Sequence, residues 1–205
     1  MMNRRTWAVT AAAWLALSAG LPAAALAAQE TPDALVKRVS TDVLQTLRND
    51  ASLKTGDVAK IGALVDEVVM PHVNFQRMTS AAVGPRWRQA TPEQQQRLQA
   101  EFKALLVRTY AGALAQVSDQ TVEIKPMRAA PGDKDVLVRT EVRGKGDPIR
   151  LDYRLEQKAD GSWRIYNLNV LGVWLVETYR SQFAQEINAR GIDSLIQALA
   201  ERNKR

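Results

Sequence analysis

Cysteine is absent from this chain, and histidine occurs once, at His72. Those two shortages exclude much chemistry: a Ser-His-Asp triad would hang on His72 alone, a Cys-His dyad has no nucleophile, and zinc sites built from His and Cys lack ligands. His72 follows the helix-ending Pro71, where a surface or loop residue is ordinary, although it titrates near neutral pH. Carboxylate pairs are equally sparse. Asp66 and Glu67 are adjacent on a helix and diverge, while Asp133 and Asp135 flank a turn where acids are commonly solvated. No glutamate closes a calcium loop after Asp135. Gly144 and Gly146 lie between two strands, so they form a hairpin turn rather than a dinucleotide fingerprint. No constellation has the density of a catalytic site, and no metal or cofactor is expected.

Long apolar runs are confined to the first residues. Arg4 and Arg5 precede an Ala-rich apolar stretch from Trp7 to Leu21, and Ala25-Leu26-Ala27 supplies a small-x-small site, the pattern of a secretory signal cleaved after Ala27. The stretch is short and Pro22 interrupts its end, which argues against a membrane anchor. Removing residues 1–27 leaves 178 residues, takes two of the 28 basic side chains and none of the 22 acidic ones, and so leaves a net charge of +4. That length suits one core rather than two, giving a single domain over residues 28–205. For an exported chain, mildly basic charge points to anionic headgroups or acidic protein faces. The bases are scattered without interleaved aromatics, so nucleic acid is not an expected partner.

Two periodicities divide the remainder. Thr31-Pro32-Asp33 is an N-cap, an N1 proline and an acidic first turn, and Leu35, Val39, Val43 and Leu47 recur at helical spacing through about Asn49. A second helix is predicted from about Asp57 to Met70, ended by Pro71. Asn74 caps a short third through Met78. Thr91-Pro92-Glu93-Gln94 is a capping-box pattern that opens the longest helix, whose apolar face holds Leu98, Phe102, Leu105, Leu106, Tyr110, Leu114 and Val117. Near Gln120 the period falls to two. Val122 and Ile124, then Val136, Val138, Thr140 and Val142, then Ile149, Leu151, Tyr153 and Leu155, then Trp163 and Ile165 alternate with charged residues, with turns at Pro131-Gly132, Gly144 to Asp147 and a two-residue hairpin at Asp160-Gly161. After Gly172 helical spacing returns through Val176, Tyr179, Phe183 and Ile187, and Asp193 to Arg202 forms a last helix. The fold class is therefore α+β: a four-stranded twisted antiparallel sheet whose apolar face is covered by N- and C-terminal helices. Whether side chains or a ligand fill the interior is open on periodicity alone.

Several segments, in order, resemble the MlaC family of toluene-tolerance auxiliary proteins. They are Pro71 to Met78, Gly84-Pro85-Arg86-Trp87, Ala90 to Gln94, Phe102, Leu105-Leu106, Thr109-Tyr110-Ala111, Gly161 to Tyr166, Asn169 to Val173 and Tyr179 to Phe183. The resemblance spans residues 31 to 204. Asn74 and Asn167 stand where the family usually has Asp, and Trp174 where Ser is common. The resemblance implies a monomeric periplasmic carrier with an interior lipid pocket, holding phospholipid acyl chains between sheet and helices with the headgroup outside. Such a carrier exchanges lipid with an outer-membrane lipoprotein complex and an inner-membrane ABC transporter complex, and serves outer-membrane lipid asymmetry. At about 0.8 kcal/mol per methylene, exposing a chain of ~14 methylenes to water costs roughly 11 kcal/mol, so crossing an aqueous gap needs a protein pocket. Expected wall residues are Val138, Val142, Leu151, Tyr153 and Ile165 from the sheet, Leu106 and Tyr110 from the long helix, and Trp174, Leu175 and Tyr179 after Gly172. Arg143 and Arg180 are the candidate headgroup contacts. Plain core is the ordinary alternative for each valine and leucine, and solvation for each arginine. The competing functions are carriage of another apolar lipid, such as a hopanoid, and a periplasmic adaptor or chaperone that binds protein segments.

Overall fold

A computed structural model describes residues 29–130 and 132–204; the expected signal segment lies outside them. Local chemistry sets the helix starts. The Thr31 hydroxyl accepts the Ala34 N–H (3.4 Å) at the head of α1 (Pro32–Asn49). Asp57 caps α2 (Val58–Leu64) and Asn74 caps α3 (Phe75–Val83). At α4 (Pro92–Ala115), Thr91 and Gln94 exchange side-chain-to-backbone hydrogen bonds of 3.2 and 2.9 Å, a complete capping box. Satisfying two orphan amides at once stabilises this start by about 1 kcal/mol.

The second helix departs from the sequence pattern. It is α-helical only to Leu64, widens into a π-helical turn over Val65–Val69, where the Met70 N–H reaches back to the Val65 carbonyl, and tightens into a 3-10 turn at Met70–His72. Pro71 has no N–H to offer the Glu67 carbonyl, so the α pattern cannot run through it. The third helix also runs further than expected, to Val83.

The sheet has five antiparallel strands in sequential order: β1 (Thr121–Ile124), β2 (Asp135–Arg143), β3 (Ile149–Gln157), β4 (Trp163–Val170) and β5 (Val173–Trp174). The fifth strand was not expected, and β3 joins β4 through the loop Lys158 to Ser162 rather than a two-residue hairpin. Val136, Val138, Thr140 and Val142 pair with Leu155, Tyr153, Leu151 and Ile149 and share one face. On β4 the register shifts: Leu155 pairs with Ile165 but Arg154 pairs with Asn167. Tyr166 is therefore bulged, and beyond it Leu168 and Val170 take the apolar face while Asn167 and Asn169 take the other. After β5, α5 (Leu175–Arg190) and α6 (Ile192–Lys204) complete the chain.

The interior is divided. One cluster joins α3, α4, α5 and α6 around the ring stack of Phe75, Phe102, Tyr179 and Phe183, with Phe102 fully buried and 5.0 Å from Tyr179 between ring centres. A second joins Leu35, Val36 and Val39 of α1 to Val136, Val138, Leu155, Trp163 and Ile165 of the sheet. A third joins Leu47, Leu53, Ile61 and Leu64 to Val107 and Ala111 of α4. A domain of this size ordinarily builds one contiguous core with minor satellites.

Candidate functional site

The long helix α4 shows how the division arises. At about 100° per residue, Leu98, Phe102 and Leu105 fall on one side and Val107 and Ala111 nearly opposite. The first set is buried in the aromatic cluster and the second in the α1–α2 cluster. Leu106, Tyr110 and Leu114 occupy the sector between and are half-buried, the first two against the aromatic cluster and Leu114 against the α1–α2 cluster, while Val117, expected on this helix, lies beyond its end at Ala115. The sheet is graded in the same way. Val136, Val138, Leu155, Trp163 and Ile165 are buried at one end of the apolar face; Val122, Val142, Leu151, Leu168 and Val170 are half-buried toward the other; and Ile149 is 43% exposed. The helices that pack closely on the sheet are α1 against β1 and β2, and α3 and α5 against β4, whereas α4 lies chiefly against α2, α3 and α6. The half-buried apolar residues of α4 and of the far part of the sheet border these clusters and are termed the seam.

The expected wall residues divide accordingly. Leu106, Tyr110, Val142 and Leu151 lie on the seam, each half-buried, whereas Tyr153 packs against the α1–sheet cluster. Val138 and Ile165 are packed in the α1–sheet cluster and Leu175 and Tyr179 in the aromatic cluster, where they support the seam from behind. Trp174 is on the other face. Its partner in the β4–β5 register is Asn169, and its ring lies 4.6 Å from the Arg154 guanidinium. The bulge at Tyr166 is the physical reason: it puts Asn167 and Asn169, both buried, on the face of Asp152 and Arg154, and β5 follows that register. Sequence periodicity missed Leu168 and Val170, which the register shift at Tyr166 brings to the apolar face.

The phenols are distinguishable. Tyr153 is bonded by the Ser40 and Thr140 side chains, yet burial still raises its pKa. Burial, and then Tyr179, raise that of Tyr110. Neither the Tyr110 nor the Tyr179 hydroxyl has a hydrogen-bond partner among the described residues. A half-buried phenol without a protein partner is suited to an ester or headgroup oxygen.

The two candidate headgroup arginines have protein partners. Arg143 pairs with Glu123 and Glu141 at 2.7 Å each, in a network completed by Lys125 on the charged face. Arg180 donates from Nε to the Ala81 carbonyl (2.8 Å), tying α5 to α3. Arg77 is more deeply engaged. It pairs with Glu156 and Asp135 and covers the Tyr166 ring at 3.5 Å, while Asn74 donates to the same Glu156 carboxylate. Burial and the Asp135 carboxylate push the Tyr166 phenol up to about 12. Asn167 holds β4 to α5, since its Oδ1 accepts the Val176 N–H (3.2 Å) at the start of that helix and its Nδ2 donates to Glu177 (2.9 Å). His72 ends the 3-10 turn, 3.4 Å from Arg38, and burial together with the Arg38 and Arg164 charges lowers its pKa. An open cleft of about 640 Å³ between α1 and β1 is lined by Lys37, Glu123 and Arg143 as much as by Val122 and Ile124, a mixture suited to water rather than acyl chains. Among the described residues no three His, Asp or Glu side chains gather as metal ligands, and no helix is long and apolar enough to cross a membrane.

Comparison with known proteins agrees with this architecture. A phospholipid-binding protein from Ralstonia solanacearum, solved in complex with a phospholipid, superposes with a TM-score of 0.82 at 49% identity, covering 86% of this chain and 98% of that one. The toluene tolerance protein ttg2D of Pseudomonas putida is 30% identical over 87% of this chain and 83% of its own length. The intermembrane phospholipid transport system binding protein MlaC of Haemophilus influenzae is 23% identical over 82% of this chain and 80% of its own. Residues 37–201 match the family model described as MlaC protein, and the chain belongs to the MlaC family.

Proposed function

We propose that this chain is a phospholipid carrier that shields acyl chains in the seam between α4 and the sheet. The observation that carries the proposal is the set of apolar side chains left half-buried on both sides of the gap, Leu106 and Tyr110 of α4 at the border of the aromatic cluster and Val142 and Leu151 on the sheet. These side chains rest on the edge of a core or on none and still keep apolar surface accessible. The similar fold that binds a phospholipid supports the choice of cargo. The names of the relatives support exchange with intermembrane transport complexes, and the signal pattern of residues 1–27 supports a periplasmic location. Release is slow without help, because each methylene exposed costs about 0.8 kcal/mol. A docked partner must therefore open the seam or compete for its contents.

The test is native mass spectrometry of protein purified from cells, with organic extraction of the same sample. The expected result is a mass excess equal to one or more phospholipids and the same species in the extract. A bare polypeptide mass with no phospholipid extracted overturns the proposal. A hopanoid in the extract would keep the seam and change the cargo.

A further inference from the structure

Three large hydrophobic side chains are conspicuously exposed among the described residues: Ile149 (43%), Leu171 (64%) and Val173 (52%). Single exposed aliphatics are commonplace, but these three occupy one corner of the sheet. Leu151 pairs with Val170 and Val170 with Val173, which puts Val173 on the apolar face one strand beyond Val170, and Ile149 is two residues from Leu151 on that face. The Leu171 N–H bonds the Arg150 carbonyl (3.0 Å), which fixes the β4–β5 turn beside the start of β3.

Leu171 carries a second anomaly. Its φ is +53°, and it is the one non-glycine residue with positive φ among the described residues. Leucine is disfavoured there by its Cβ, whereas Asn or Gly is at ease. The turn Leu171-Gly172 thus holds a leucine against backbone preference while pointing an aliphatic side chain into water. Positive φ at both turn residues is what a two-residue hairpin between Val170 and Val173 requires, but a leucine in place of Asn or Gly, aimed at solvent, aids neither the turn nor the core.

The surroundings select the occupant. The turn and strand start from Arg143 to Arg150 contain Arg143, Lys145 and Arg150 against one acid, Asp147. Arg143 is matched by Glu123 and Glu141, but Lys145 and Arg150 have no carboxylate partner among the described residues. An aliphatic corner bordered by uncompensated bases is complementary to an anionic bilayer surface, whose phosphates meet the bases while the side chains enter the headgroup layer. The corner is also where the apolar face becomes progressively exposed, from Leu151 and Val142 to Ile149. We infer that Ile149, Leu171 and Val173, with Lys145 and Arg150, form a docking surface for anionic phospholipid bilayers at the mouth of the seam. The inference rests on the carrier reading for its occupant.

Sedimentation with sucrose-loaded vesicles tests it, using phosphatidylglycerol-containing and pure phosphatidylcholine vesicles at low and high salt. Wild-type protein is expected to bind the anionic vesicles at least tenfold more tightly than the neutral ones, with the difference shrinking as salt rises. Leu171→Asn is expected to raise the thermal midpoint, by relieving the turn, and to weaken anionic-vesicle binding at least fivefold. Lys145→Glu with Arg150→Glu should abolish the preference for anionic vesicles. Phospholipid content is measured on the same preparations. Phospholipid-loaded wild type that ignores vesicles overturns the docking surface, leaves the carrier reading intact and assigns the corner to a protein face. Lipid-free wild type that binds anionic vesicles in the expected way overturns the carrier and keeps the surface. Unchanged binding by Leu171→Asn also overturns the surface.

Discussion

A tryptophan introduced at two points on the same sheet face should have opposite consequences. Val138 is fully buried in the α1–sheet cluster, and Leu151 is half-buried on the seam, only one ladder step away because Thr140 pairs with Leu151 and Val138 with Tyr153. At Val138 the indole has no space. Overpacking a closed core costs about 3 kcal/mol, which for a domain of this size lowers the thermal midpoint by about 6–12 °C. At Leu151 the same ring extends into the space assigned to acyl chain, so stability should change by less than about 1 kcal/mol. The cost falls on lipid binding instead. An indole that displaces about four methylenes removes roughly 3 kcal/mol of burial, about a two-hundredfold loss of affinity.

The assay pairs thermal unfolding with phospholipid quantification on each purified variant. Leu151→Trp should unfold cooperatively near the wild-type temperature with little or no bound phospholipid. Val138→Trp should be markedly destabilised, and whatever folds should retain lipid. The reasoning is refuted if Leu151→Trp retains a wild-type lipid load, or if both variants lose stability equally, because either result means that the two positions see the same packed interior.

Phe102→Ala removes the ring at the centre of the aromatic stack and should destabilise by about 3–5 kcal/mol in urea titration, with the lipid ratio of the folded fraction little changed. Asn167→Ala leaves the Val176 N–H at the start of α5 without its acceptor and should cost about 1–3 kcal/mol, read by the same titration. Burial favours protonation of Glu156, but the bonds from Asn74 and Arg77 prevail and lower its pKa below 4.5 in the folded state. Its stabilising contribution is thus present above pH 4.5 and lost as pH falls through the lowered folded value, and Glu156→Gln should flatten that part of the stability profile.

Much of this was legible in the sequence because it is governed locally. Thr31, Asn74 and Thr91 announced their helices through capping chemistry, and the alternation from Val122 to Ile165 announced a one-sided sheet. What escaped depends on distant partners. Nothing local distinguishes Val65 to Val69 from an α-helix, since the wide turn depends on how three valines divide among neighbouring clusters and on Pro71 beyond them. The bulge at Tyr166 becomes visible only in the pairing with Arg154 and Leu155, and one unpaired residue was enough to carry Trp174 from the expected wall to the charged surface. The apolar face of the sheet was legible from alternation at Val138, Val142, Leu151, Tyr153 and Ile165, but which of these pack under α1 depends on where that helix ends its contact with the sheet.

The position of α4 between two separately packed cores bears on what hydrostatic pressure does to this protein. Because Phe102 anchors one flank and Val107 and Ala111 the other, α4 cannot settle onto the sheet after lipid leaves without unpacking one of them. With α4 held in place, a seam emptied of lipid contains free volume that a filled one lacks, and compression favours whichever state eliminates it. Lipid departure should accordingly make the partial molar volume change of unfolding more negative, so that the protein stripped of lipid yields at lower pressure even where the two forms melt at similar temperatures.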